Sequence, residues 1–96
     1  MRKKISKLKN RHYSFSGKIG KVNGKSLLLL NVTLNDTGKV VTDHLWIPRK
    51  EKYNRYSLKE GSTVKFSGVP GVYYKGGMAL QKDYNLTNII HFQAMN

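Results

Sequence analysis

Residues Ser26 to Ile47 constrain this chain most: two strand-like runs joined by Asn35-Asp36-Thr37-Gly38. The first run, Ser26 to Asn35, is Leu-rich and ends in Val32-Thr33-Leu34, the residue types that fit a pleated, half-buried surface. In the second, Val41, Leu45 and Ile47 fall on one face and Val40, Thr42, His44 and Trp46 on the other, because strand side chains alternate. Asp-x-Gly between such runs is hairpin chemistry, since Asp can start the turn and Gly supplies φ > 0. Burying the Leu-rich face pushes Trp46 and His44 outward if the pair curls into a small barrel. A register slip of one residue would instead send the indole inward.

The rest of the chain reads as more strands. His12 to Val22 alternates Tyr13, Phe15, Gly17 and Ile19 against Ser14, Ser16, Lys18 and Gly20, and its glycines mark a bulge or sharp bend. Asn23-Gly24 then gives the strongest short hairpin signal. Pro48 ends the third strand. Arg49 to Lys59 is the one segment not written as strand; Tyr53 and Tyr56, with Leu58, can line a short helix or turn packed on the barrel end. Ser62 to Gly68 is a fourth strand with Val64 and Phe66 inward and Thr63, Lys65 and Ser67 outward. Gly68-Val69-Pro70-Gly71 interrupts it, Pro70 implying an edge or bulge, before Val72 to Lys75 resumes. After Gly76-Gly77, the segments Met78 to Gln81 and Asp83 to Gln93 supply the last strand.

Charge narrows the partners. Lys and Arg number 18 against 5 Asp and Glu, a formal net charge of +13. Such self-repulsion disfavours compaction, so a polyanionic partner is the natural explanation, nucleic acid first. No basic amphipathic helix is visible to favour an anionic membrane, and no apolar run approaches the roughly 18 residues of a span. Without Cys there is no disulfide framework, zinc knuckle or thiol nucleophile, which points to a cytoplasmic protein. Residues 1–11, with six basic side chains, read as a flexible arm: an electrostatic tether to phosphates or a solvated tail. Residues 12–96 read as a single domain.

The class is therefore all-β, a five-stranded barrel with a short helix or turn between strands 3 and 4 and a basic N-terminal arm. Three meandering strands, that connection, a fourth strand and a fifth are the order of the oligonucleotide-binding (OB) barrel, with an SH3-like barrel as the rival. Leu58-Lys59-Glu60-Gly61-Ser62-Thr63-Val64-Lys65-Phe66-Ser67-Gly68, Tyr74-Lys75-Gly76 and Asp83 to Ile89, with Thr42-Asp43-His44-Leu45-Trp46, resemble small OB-fold nucleic-acid-binding proteins of Gram-positive plasmids, phages and integrating cassettes. The resemblance implies single-stranded DNA binding and a supporting part in replication, beside a polymerase or primase.

OB domains bind strands between the first-hairpin loop and the loop joining the last two strands. Here that selects Trp46 and His44 on the face, Lys21, Asn23 and Lys25 in one loop, and Tyr73, Tyr74 and Lys75 in the other, one tyrosine of the adjacent pair pointing inward. Lys39, Arg49, Lys50, Lys52 and Arg55, and Arg2, Lys3 and Lys4 of the arm, add phosphate-tracking charge. Tyr53, Tyr56, Phe15, Phe66 and Phe92 read as packing residues. Lys18 and Lys65 lie on outward faces as solvated charges or contacts. Catalysis is not expected. His12, His44 and His91 lack metal-ligand spacing, Asp43 and His44 should point to opposite sides of their strand, and no carboxylate pair or phosphate loop is visible. No cofactor or metal is implied. Two other readings remain: an interaction subunit for a polymerase or primase, and an RNA-binding translation factor.

Overall fold

The computed structural model describes residue 5 and residues 7–56, 58–76 and 81–95. The described chain forms one open antiparallel sheet in the order β3-β2-β1-β4-β5, so β3 and β5 are its edges. The strands are β1 (Tyr13–Val22), β2 (Ser26–Leu34), β3 (Val40–Pro48), β4 (Thr63–Lys75) and β5 (Gln81–Met95). A single 3-10 turn, Glu51–Arg55, separates β3 from β4. An all-β, barrel-like chain with a short connection after the third strand is what the sequence pattern leads one to expect.

The first strand is shared as its length requires. It pairs with β2 from Phe15 to Val22 and with β4 from Tyr13 to Lys18. Both glycines sit where the β1–β2 register shifts, one shift between Ser16 and Lys18 and one between Ile19 and Lys21. The second shift makes Gly20 an extra residue on β1 and restarts the alternation, so Lys21 returns to the outer face opposite Leu28 while Val22 faces Leu27.

One core fills the concave side. Phe15, Ile19, Leu27, Leu29, Val32, Leu45, Ile47, Val64 and Phe66 are buried, and Leu86, Ile89 and Phe92 of β5 join them. Phe15 and Phe66 are cross-strand partners whose rings stack at 5.7 Å. Each such side chain contributes about 1.5–3 kcal/mol by leaving water. The turn after β3 spans from one edge to the other: Tyr53 is buried and stacks on Phe92, and Lys50 Nζ donates to the Ile89 carbonyl at 3.3 Å. Tyr53, Tyr56 and Leu58 thus pack against the core from this connection.

Four expectations need correcting. Thr42 is buried rather than outward, because β3 carries an extra residue at Val41 where the β2–β3 register shifts, and Val41 and Thr42 both turn inward. The fourth strand is not interrupted: β4 runs unbroken from Thr63 to Lys75, and the irregularity lies on β5. There the register slips twice, beside Asn88 and His91, whose φ of 50° and 55° are left-handed. Pro70 is tolerated because β1 has ended at Tyr13, opposite Gly68, and among the described residues no strand pairs with that side of β4 beyond it. Part of the N-terminal segment is anchored, not free: Ile5 is fully buried in the core and Leu8 packs beside it. Two apolar side chains suffice because they cover an existing core instead of building their own. Last, Asp43 and His44 meet rather than diverge, as described below.

Candidate nucleic-acid interface

Strand pairing places the outward side chains of β1, β2 and β3 in rows, since directly opposed residues share a face. One row is Lys21–Leu28–Trp46. The next is Lys18–Leu30–His44, which continues through Thr63 of β4 to Met95 of β5. In both rows a lysine on β1 and an aromatic ring on β3 flank a leucine on β2. Trp46 is 45% exposed and Leu30 36% exposed; His44, Lys18 and Lys21 are exposed and Leu28 is half-buried. The indole therefore faces solvent, and the inward register is ruled out.

Why the leucines lie as they do follows from β2. Four consecutive leucines, Leu27 to Leu30, cannot all enter the core of a strand; Leu27 and Leu29 do, and Leu28 and Leu30 are left outside. Leu30 leans over Gly20, where an added Cβ would lie 2.7 Å from its Cγ and Cδ1. The bulge glycine thus makes room for the leucine to lie flat between the two lysines and the two rings.

At the end of this face nearest Trp46, the first hairpin turn and the residues after β3 come together. Arg49 N donates to the Lys25 carbonyl at 2.9 Å, and its guanidinium reaches the Asn23 carbonyl at 2.9 Å and Asn54 Oδ1 at 3.0 Å. Lys21, Lys25, Arg49 and Trp46 are thereby gathered at one corner. Lys50 is turned to the β5 backbone, and Lys52 stands with Tyr53, Tyr56, His91, Phe92 and Gln93 around a separate hollow of about 250 Å³. Lys39 lies beyond the other end of β3 in the β2–β3 turn.

No family model, curated protein or solved structure matches this chain.

The other expected loop sits apart from the Trp46 corner. β4 and β5 run on past Tyr13 as a two-stranded ribbon, which begins on the order of 25 Å along β1 from Lys21 at about 3.3 Å per residue. Within it Tyr74 is 65% exposed, whereas Tyr73 is half-buried and its hydroxyl donates to Asp83 Oδ2 at 3.3 Å. One tyrosine of the pair is available to a ligand, and it is Tyr74. Arg2, Lys3 and Lys4 lie outside the described residues, as do the side chains of Arg55 and Lys75.

The Asp43–His44 pair is a finding that alternation did not foretell. His44 Nδ1 and Asp43 Oδ1 are 2.8 Å apart, both side chains exposed. Two successive residues, Asp43 and His44, are outward although the β2–β3 register is unbroken there; the departure falls opposite Asn31, whose φ of 50° is left-handed. The hydrogen bond to the imidazole holds the Asp43 carboxyl below the usual carboxylate range. Farther along, the Arg11 guanidinium sits 4.6 Å from the Tyr13 ring centroid, and its hydrogen bond lowers the phenol's pKa. Among the described residues no helix is long and apolar enough to cross a membrane.

Proposed function

We propose that this chain is a non-catalytic protein that binds single-stranded nucleic acid, DNA in the first instance, on the outer face of β1, β2 and β3. The observation that carries the reading is Trp46, an exposed indole in register with Lys21 on a chain of net charge +13. Aromatic planes stack on unpaired bases and lysines track phosphates, whereas a duplex hides its base faces. The sheet order agrees with an OB-type barrel, a five-stranded, partly open fold that binds strands on this same region. Likeness to small proteins of Gram-positive mobile elements adds an accessory place in replication or priming, in the cytoplasm, beside a polymerase or primase.

Quenching of the single tryptophan by oligo-dT over a salt series tests this. Affinity should fall with a log–log slope of about −0.7 for each phosphate contact. A fluorescence signal indifferent to oligonucleotide at low salt would rule the reading out.

A second reading, an interaction subunit for a polymerase or primase, draws on the ribbon, where Val72 and Tyr74 stand exposed away from the basic face. Under it the purified chain binds DNA feebly alone, and Tyr74→Ala, not Trp46→Ala, breaks the complex.

A further inference from the structure

The rows carry more than a location. Across them the order is lysine on β1, leucine on β2, ring on β3, with neighbouring strands about 4.8 Å apart. A nucleotide has the same order: phosphate, sugar, base. From this juxtaposition we infer that Leu28 and Leu30 form a sugar-facing floor that selects deoxyribose over ribose, making the strand bound here DNA by exclusion of the 2′-hydroxyl. This rests on the reading of the face as a single-strand site.

The physical reason is solvation. With the base against Trp46 or His44 and the phosphate drawn to Lys21 or Lys18, the sugar is brought down on the leucine between them. Neither leucine side chain can donate or accept a hydrogen bond, and no polar side chain interrupts either row between lysine and ring. A deoxyribose methylene loses nothing on that floor. A ribose hydroxyl loses water and finds no partner, an asymmetry that makes an unmade hydrogen bond costlier than a made one is favourable. The 2′-hydroxyl is the group by which proteins tell RNA from DNA. Gly20 makes this possible, because only a residue without Cβ lets Leu30 lie over β1.

The two successive rows also set a direction. Trp46 and His44 are two residues apart on β3, so their rings are about 7 Å apart along the strand. Consecutive nucleotides then follow the β3 axis, with their phosphates on the β1 side.

The test compares oligo-dU, oligo-rU and 2′-fluoro oligo-U of equal length by anisotropy in one buffer; the shared base removes any effect of the thymine methyl. The wild-type chain should bind dU roughly fivefold or more tighter than rU, the lower end of what one desolvated, unpartnered hydroxyl is worth. The 2′-fluoro strand, ribose-like in pucker but without a hydroxyl donor, should bind nearer to dU. Leu30→Thr and, separately, Leu28→Thr place a hydroxyl partner in the floor and suit a strand, so each should narrow the dU:rU ratio, whatever its effect on the absolute affinity for dU. Equal affinity for dU and rU, a 2′-fluoro strand that behaves like rU, or a ratio unmoved by both substitutions overturns the inference and leaves single-strand binding standing. Failure of all three strands to bind overturns the functional reading itself.

Discussion

The ring of Tyr53 lies against that of Phe92, 4.0 Å between centroids and 19° between planes. One ring belongs to the turn after an edge strand and the other to the opposite edge, so the stack holds the two open sides of the sheet together. Within it the Tyr53 hydroxyl is buried and has no hydrogen-bond partner among the described residues. The two rings should therefore respond oppositely to substitution. Phe92→Ala, which opens a cavity at the seam, is expected to cost about 3–5 kcal/mol. Tyr53→Phe keeps the stack and removes the unpaired group, so stability should hold or rise by up to about 1 kcal/mol. Urea unfolding of both variants checks this, and a large loss in Tyr53→Phe would place an unseen partner on the hydroxyl.

The same burial predicts a pH effect. Desolvation raises the Tyr53 pKa above its ordinary value, so the folded state holds this proton after the unfolded state has begun to lose it. The associated stability is full below the ordinary tyrosine pKa of about 10 and falls as pH rises above it. Thermal unfolding between neutral and strongly alkaline pH should show a steeper alkaline loss in wild type than in Tyr53→Phe. Parallel slopes would mean that the phenol is not desolvated.

Trp46 projects from an edge strand with nearly half its surface exposed, so little of the fold depends on it. Trp46→Ala is expected to change stability by less than about 1 kcal/mol. On the functional reading it should weaken oligo-dT binding by about 1–3 kcal/mol, the usual worth of one base–aromatic stack. Anisotropy with a labelled strand measures this without using the lost tryptophan. Unaltered affinity would move the site to another face.

Much of this was legible from alternation and turn chemistry. Asn23-Gly24 and Gly38, the latter at φ 72°, punctuate the strands as their types demand, and Val41, Leu45 and Ile47 face inward with Trp46 outward. What sequence could not show depends on bulges, since each extra residue flips the pattern that alternation extrapolates. Thr42 joined Val41 inside at such a bulge, and Asp43 met His44 opposite Asn31, whose left-handed φ of 50° also breaks the alternation. The Leu28–Leu30 floor was hidden differently: a run of four leucines reads as core until the pleat divides it. Asn35 was equally opaque. Its amide accepts from Ser16 Oγ at 2.6 Å and donates to Ser14 Oγ at 2.7 Å, tying the β2–β3 turn to β1, a contact some twenty residues away in sequence.

The Asp43–His44 contact gives an NMR observable. Because the imidazole hydrogen bond lowers the Asp43 pKa, its carboxyl should titrate below the usual aspartate midpoint of about 3.9, and His44→Ala should return it toward that value. The sign for stability follows: the contribution is present above the ordinary pKa and is lost as pH falls through the depressed one. Both groups are exposed, so only the titration, not the unfolding curve, is expected to resolve it. A wild-type midpoint at the ordinary value would show that the pair does not persist in solution.

Gly20 offers the sharpest separation of fold from face. Its φ is not in the left-handed region, so alanine meets no backbone strain there. The added methyl would instead collide with Leu30 at 2.7 Å, and the obstacle is the end of a flexible, partly exposed side chain that can swing away. Stability should therefore change by no more than about 1 kcal/mol in either direction, reduced unfolded-state entropy opposing the local crowding. Binding should suffer more, because Leu30 can move only outward, into the space between Lys18 and His44. Gly20→Ala is thus expected to weaken oligo-dU binding severalfold. The double variant Gly20→Ala with Leu30→Ala, which has no long side chain left to displace, should recover part of that loss, a non-additivity that neighbouring residues in contact are expected to show. Strictly additive losses would mean that Gly20 acts on binding by some route other than the leucine above it.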